Sequence, residues 1–379
     1  MTAEQPTLWG AVPPNENPAY LKSQIVTYIG NKRSLLSPIG DAVELVKEQT
    51  GSDKLRIFDC FSGSGIVSRF FKQHASSLVV NDIESYARVI SECYLSNLKH
   101  IPLDSLSAEV ARLNELVEEP ANNAGFIERT YAPLDDDDIK PNERVFYTRE
   151  NARRLDRFRQ LIDESDPELR PLLLGPLLVE ASIHANTSGV FKGFHKDPTT
   201  GIGKFGGGGA DAISRIKGRI DLKVPVLSRF NVPYTVLQAD AIEAASQTGS
   251  VDLTYLDPPY NQHPYGSNYF MLNLLVDYIE PRDVSRVSGI PVGWQRSDYN
   301  VRRLAWDRLT GLVAALDSTF VLISFNDEGF VDLPAFEVFL ASLGPVKAVQ
   351  KKHNTFRGSR NLGNRSTHVT EYLFLLERR

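Results

Sequence analysis

The chain has 379 residues, 42% of them hydrophobic, and a net charge of −5, an ordinary make-up for a globular protein long enough for two domains. Its two cysteines, Cys60 and Cys93, lack any Cys-x-x-Cys or Cys/His spacing, which excludes a zinc site and a disulfide framework and fits two reduced, buried thiols. No apolar stretch approaches the roughly 18 residues of a membrane span, and the first residues lack the basic-then-apolar pattern of a signal peptide, so a cytoplasmic protein with no membrane partner is expected.

Residues 1–19, rich in Pro and Asn, read as an extended N-terminal arm. Leu35–Gln49 is amphipathic and stops before Gly51, which predicts a helix ahead of the first strand. Leu55–Phe61 reads as that strand. It runs into Ser62-Gly63-Ser64-Gly65 and then a helical stretch, Ile66–His74. A glycine turn between strand and helix lets a ligand approach the backbone at the helix N-terminus. The next apolar run, Leu78–Val80, ends at Asn81-Asp82, near the spacing at which an acid at a second strand's tip reaches ribose hydroxyls. The third glycine of a dinucleotide fingerprint is missing, so a nicotinamide cofactor is not expected.

From residue 101 the strand–helix alternation stops. Helices are expected over Leu103–Glu118, Glu143–Ile162 and Glu168–Ile183, followed by glycine-rich sequence, which marks an inserted domain over 101–235. Asp135–Asp138 reads as an exposed acidic loop. Arg149–Arg159 holds five arginines against Glu150 and Asp156, either a solvated face or a phosphate-binding one. Gly201–Gly207 carries no Ser or Thr after Lys204 and no strand before it, so it reads as a loop that orders on a partner and not as a phosphate loop.

Val236–Asp240 resumes the sheet, and Val251–Leu256 reads as a buried strand closed by Asp257-Pro258-Pro259-Tyr260. In open α/β sheets ligands bind at that edge. Two prolines fix φ twice and remove two donors, leaving a stiff turn with outward carbonyls beside a carboxylate and an aromatic ring. Such a cage suits a planar group with an exocyclic amine, whose N–H groups are accepted while Tyr260 covers the ring; the plainer reading is an edge-strand turn with a buried tyrosine. Helices at Tyr269–Tyr278 and Val301–Leu316 flank a substrate loop at 281–298. Strands at Phe320–Phe325, Val346–Gln350 and Val369–Leu376 end the chain as an antiparallel hairpin on a mostly parallel sheet. The last two are joined by Lys351–Arg365, which holds Lys351, Lys352, Arg357, Arg360 and Arg365 with no acid and reads as a phosphate-contacting loop despite the negative net charge.

Tyr28-Ile-Gly-Asn-Lys32-Arg-Ser-Leu-Leu36, Phe61-Ser-Gly-Ser-Gly65, Asp82 and Asp257-Pro-Pro-Tyr260 follow one another here in the order seen in Dam-type DNA adenine methyltransferases of the alpha motif arrangement. The resemblance covers residues 20–100 and 236–379, and Ala181–Gly189 looks like a segment of that family's restriction-modification branch. It implies an α/β, Rossmann-like class I S-adenosylmethionine-dependent methyltransferase, with a mostly parallel seven-stranded sheet and a mainly helical target-recognition insert at 101–235. It also implies S-adenosylmethionine as cofactor and no metal. The partners implied are double-stranded DNA and, unless the enzyme is solitary, a cognate restriction endonuclease.

The resemblance places Tyr28 and Lys32 in the cofactor pocket, Phe61, Gly63 and Gly65 under the methionine moiety, Asp82 on the ribose and Asp240 near the adenine ring. Asp257, also at the cofactor, and Pro258 would accept the amine hydrogens while Tyr260 stacks. Asn261, Tyr265, Asn268 and Tyr269 would lie near a base flipped out of the duplex. Methylation of the cytosine amine uses the same cage; Asp at 257 and the motif order favour adenine. RNA methyltransferases more often carry Asn at that position, and a DNA-binding module that has lost catalysis is a further alternative.

Overall fold

The computed structural model describes residues 16–119, 124–207, 211–262, 264–354 and 368–378. Seven strands form one sheet: β1 (Leu55–Asp59), β2 (Ala75–Asn81), β3 (Tyr234–Leu237), β4 (Val251–Leu256), β5 (Ser318–Asn326), β6 (Val346–Asn354) and β7 (His368–Glu377). Their order is β3-β2-β1-β4-β5-β7-β6. β1 through β5 run parallel, and β7 lies antiparallel between β5 and β6. The central strands are buried on both faces, with Ile57, Phe58, Leu253, Leu256, Val321 and Ile323 essentially inaccessible. Such strands read as continuous apolar runs, which is why they stand out in the sequence.

Several boundaries differ from the sequence reading. β3 is Tyr234–Leu237 and not 236–240, because Asp240 leaves the sheet to cap the helix Ala241–Thr248, accepting the Ile242 N–H at 3.0 Å. The helix at 66 ends at Phe71, since β2 starts at Ala75. The helix expected from 143 starts at Arg149, where the Thr148 hydroxyl caps the Asn151 N–H. β6 continues through Lys351 and Lys352 to Asn354, so those two lysines belong to a strand and not to the loop beyond it. At the N-terminal end, Asn17 caps a short helix, Pro18–Lys22.

Residues 103–183 supply the helices Leu103–Leu116, Phe126–Tyr131, Arg149–Glu164 and Arg170–Ile183. Their buried faces join Ser85–Tyr94 and Phe270–Asp277 in one core that includes Ile90, Leu113, Phe158, Leu173 and Leu275. The arginine-rich helix contributes struts there. Arg154 is fully buried, bonded to the Ile220 carbonyl and paired with Glu118 and Asp221. Arg159 donates to the Leu275 and Val276 carbonyls. Cys60 and Cys93 are free and buried. No helix among the described residues is long and apolar enough to cross a membrane.

Candidate active site

The chain leaves β1 outward to β2 and β3, then returns to build β4 and β5 on the other side. A crevice therefore opens at the carboxyl ends of β1 and β4, the place where open α/β sheets bind ligands. The space in it, counted out to open solvent, is about 830 Å³. Of the residues singled out from the sequence, Tyr28, Lys32, Phe61, Gly63, Asp82, Asp240, Asp257 and Tyr265 line it.

One wall is the glycine turn. Gly63 has φ +50°, and a Cβ there would come within 2.9 Å of the Tyr28 hydroxyl, so only glycine lets the tyrosine lie against the turn. Its N–H donates to Asp82 Oδ2 at 2.8 Å, and the Glu84 N–H donates to Oδ1 at 3.0 Å. Each carboxylate oxygen keeps a lone pair for a ligand. Burial raises the Asp82 pKa. Gly65 caps the following helix against Ile90 and does not line the cleft. Asp240 also lines the cleft, with Phe61 edge-on to Tyr299 at 5.3 Å.

The other end is the Asp-Pro-Pro-Tyr turn. The Phe330 N–H donates to the Tyr260 carbonyl at 2.8 Å and the Asn300 amide to the Asn261 carbonyl at 2.6 Å. Tyr260 stands edge-on to Phe325 at 5.5 Å, and Pro258 is buried behind the turn. Asp257 Oδ1 pairs with Lys32 Nζ at 3.0 Å; that ammonium also bonds the Gly30 carbonyl at 3.2 Å and lies 3.8 Å from Glu371 Oε2 and 5.3 Å from the Tyr260 ring centre. Lys32 and Glu371 are 3% and 5% exposed. Burial pushes Asp257 up to about 6, opposed by Lys32 and aided by Glu371. Burial works against the Lys32 charge, but Asp257, Tyr260 and Glu371 together hold its pKa well above the ordinary value. Lys32 thus touches the turn's carboxylate as well as the cleft.

The tyrosines weld the Tyr28 segment to the chain after that turn. Tyr28 lies stacked on Tyr265 and on Tyr269, at 5.0 and 4.8 Å, and the Tyr269 hydroxyl accepts the Ile29 N–H at 2.8 Å. Tyr269 and Asn268 are buried, and the Asn268 carbonyl accepts the Phe191 N–H at 2.7 Å, so both face packing and not the cleft. The Lys351 ammonium donates to the Ser34 carbonyl at 2.6 Å. Lys352 is described only in its backbone, and Arg357, Arg360 and Arg365 lie outside the described residues.

The sequence reading missed Glu84, Tyr299 and Asn300, all on the cleft, and Glu371. Glu84 is raised to about 7 by burial, with the Asn273 amide opposing from 2.6 Å. Its signal was an acid two residues past Asp82; that of Glu371 was one acid within the apolar run of β7. The segment after residue 280 folds back on itself, with the Ser285 N–H to the Ile290 carbonyl at 2.8 Å, and docks on the helix Phe126–Tyr131, where the Tyr131 hydroxyl donates to the Gly289 carbonyl at 2.7 Å. It then passes over Gly266, where a Cβ would meet the Gln295 carbonyl at 2.6 Å, and so reaches the cleft. No cluster of His, Cys, Asp or Glu among the described residues is arranged to hold a metal ion.

Comparison with known proteins agrees with this geometry. The chain is 26% identical over 363 residues to the Type II methyltransferase M.NlaIII of Neisseria lactamica, covering 93% of this chain and 99% of that one. It is 26% identical over 358 residues to the Type II methyltransferase M.CviAII of Paramecium bursaria Chlorella virus 1, covering 93% and 98%. Modification methylase LlaI of Lactococcus lactis subsp. lactis matches at 28% over 321 residues, 81% of this chain and 47% of the relative. Residues 28–286, which contain the glycine turn, Asp82 and the Asp-Pro-Pro-Tyr turn, match the D12 class of N6 adenine-specific DNA methyltransferases, and the chain belongs to that family.

Proposed function

We propose that the protein is a cytoplasmic, site-specific DNA adenine-N6 methyltransferase that uses S-adenosylmethionine, as the modification half of a restriction system or as a solitary enzyme. The observation that carries this reading is one carboxylate, Asp257, held by Lys32 at 3.0 Å on a cleft that the Gly63–Asp82 clamp also lines. The close-approach glycine and acids suited to a diol and to cationic groups fit that donor. When bound, it supplies an electrophilic methyl group on a sulfonium.

The chain's residues then have separable tasks. Asp82 accepts from the ribose hydroxyls, Asp240 lies by the adenine ring, Gly63 and Phe61 admit the methionine end, and Tyr28 closes that wall. The target adenine is flipped out at a cost of a few kcal/mol and held against Tyr260, with Asn261 and Tyr265 at its edge. Because Lys32 occupies Asp257 Oδ1, Oδ2 remains to accept one amine hydrogen; the Pro258 carbonyl accepts the other. Both bonds favour a more tetrahedral nitrogen with its lone pair aimed at the methyl group. The N–C bond forms, the C–S bond breaks, and the methylated amine sheds one proton. Residues 101–233 act as the target-recognition insert on a catalytic unit made of 20–100 and 234–379, since β3 begins at Tyr234; of the arm expected over 1–19, residues 1–15 lie outside the described residues and Pro18 opens a helix.

Tritium transfer from labelled S-adenosylmethionine is expected into duplex DNA and not into RNA run in parallel, with base-resolution sequencing locating N6-methyladenine at one recurring sequence. Asp257→Ala should lower transfer by about a hundredfold or more while circular dichroism stays native. Normal turnover by a folded Asp257→Ala protein, or label only in RNA or cytosine, refutes the assignment.

A further inference from the structure

Lys32 is one ammonium serving two carboxylates. It opens the short helix Lys32–Leu35, capped by Asn31, and its Nζ reaches Asp257 Oδ1 at 3.0 Å and Glu371 Oε2 at 3.8 Å. Glu371 sits on β7, paired across the ladder with Asn326 on β5 and Lys351 on β6. Lys351 in turn holds the Ser34 carbonyl, so two neighbouring ladder positions grip the segment that carries Lys32. Among the described residues, the titratable groups facing Asp257 are Lys32, Glu371, Tyr255, Tyr260, Tyr265 and Asp59. Lys32 is the cation among them, and Glu371 is the second acid within its reach.

We propose that Glu371 is a positioning residue that acts through Lys32 to set the basicity of Asp257. The inference rests on the amine-methylation reading above. Once the N–C bond has formed, the nitrogen carries one proton too many, and Asp257 Oδ2 is the acceptor already bonded to it. The proton passes from the nitrogen to Asp257, the nitrogen keeps the electron pair of the broken N–H bond, and the carboxylate becomes neutral. A buried ammonium would then face a neutral acid, and removing one partner of a buried ion pair is costly. Glu371 removes that difficulty, because Lys32 keeps a counter-charge whichever state Asp257 is in. Its negative charge also favours the protonated form of Asp257. Glu371 therefore makes Asp257 a better proton acceptor without touching the adenine.

The test is single-turnover methylation of an adenine-containing duplex from pH 5 to 9, at saturating S-adenosylmethionine. Wild type should lose activity on the acid side below about pH 6, the value of Asp257 in the free protein, because the bound sulfonium adds to Lys32 in favouring the carboxylate. Glu371→Gln should move that limb to lower pH by about one unit, as expected for loss of a nearby like charge, and lower the plateau rate several-fold. Lys32→Met should move it the other way by about 1–3 units, as expected for loss of an adjacent cation. Glu371→Asp, which keeps the charge, should stay within about half a unit of wild type and stands in if the glutamine variant misfolds. S-adenosylhomocysteine should bind wild type and both Glu371 variants within about twofold, a change of less than RT.

Limbs that shift in the same direction for Glu371→Gln and Lys32→Met, an unmoved limb in Glu371→Gln, or a Glu371→Asp protein that behaves like the glutamine variant overturns the proposal. A wild-type enzyme that transfers no methyl to adenine overturns the underlying reading instead.

Discussion

Asp82→Ala separates the structural job of this carboxylate from the binding role proposed for it. In the free protein Asp82 fastens the Gly63 N–H at 2.8 Å and the Glu84 N–H at 3.0 Å, so its removal loosens the glycine turn before any ligand is considered. Water can enter from the cleft, so the fold should lose about 1–3 kcal/mol, the cost of poorly satisfied donors. The proposed second job is the ribose diol, whose hydrogen bonds to a charged acceptor are worth about 1.5–3 kcal/mol, or roughly 10–150-fold in affinity. A loosened turn would weaken binding too, so a single dissociation constant does not distinguish the two. A double-mutant cycle does. S-adenosylhomocysteine and its 2′,3′-dideoxy analogue are titrated calorimetrically into wild type and Asp82→Ala. The wild type should prefer the diol by about 10–150-fold, and the variant should show almost no preference, whatever its overall loss. Equal discrimination by both proteins would move the diol elsewhere on the cleft and leave Asp82 only its structural role.

Two other perturbations test the electrostatics and the division of labour. Asp59 is fully buried and its carboxyl is pushed up to about 7 by burial, against a bond from the Ser68 hydroxyl, so the folded state holds a proton that the unfolded chain releases near pH 4; stability is lost as pH rises between those values, and Asp59→Asn should stabilise the protein by about 2–4 kcal/mol at pH 8 and by little near pH 4 in urea titrations. Replacing Lys351, Lys352, Arg357 and Arg360 with Ala should weaken all duplexes alike and flatten the salt dependence by up to about four phosphate contacts, Lys351 counting least because it already holds Ser34. Substituting polar residues in the glycine-rich part of the proposed recognition insert, such as Lys192, His195 or Lys204, should instead relax discrimination at particular base pairs by roughly 1–3 kcal/mol each, read on a panel of single-base variants at two salt concentrations.

What could be read from the sequence depended on how local the physics is. Buried parallel strands announce themselves as apolar runs, and the Asp-Pro-Pro-Tyr and Ser-Gly-Ser-Gly segments carry their backbone geometry in their own residues, so β1, β2, β4 and the crevice between them were legible. Helix starts were less so: Thr148 and Asp240 fix theirs through a single side-chain bond that competes with several similar candidates nearby. Long-range pairing was not legible at all. Nothing near Lys32 signals Glu371, more than three hundred positions away in sequence, and nothing in the arginine run 149–159 signals that Arg154 and Arg159 would be struts bonded to carbonyls of other segments. Such partners are set by the tertiary arrangement, which brings a strand or a loop carbonyl to a cation whose own sequence neighbourhood is unremarkable.

The cleft acids imply one more property of the free enzyme. Asp82, Glu84 and Asp257 are all raised, in each case chiefly by burial, with Glu84 at about 7 and Asp257 at about 6. Near pH 6.5 part of this set is protonated in the free enzyme, where the Lys32 ammonium pairs with Asp257. S-adenosylmethionine brings a sulfonium and an ammonium, and positive charge close to a carboxyl favours its ionised form. Binding should therefore expel up to about one proton, and by linkage the affinity should rise with pH between about 6 and 7 and level off above. S-adenosylhomocysteine keeps the ammonium but lacks the sulfonium, so it should expel less. Calorimetry of both ligands at pH 6.5, in two buffers that differ in ionisation heat, reads the number of protons directly. Net proton uptake, or equal release by the two ligands, would mean that the raised carboxyls do not feel the sulfonium and that the methyl group sits away from Asp257 and Glu84.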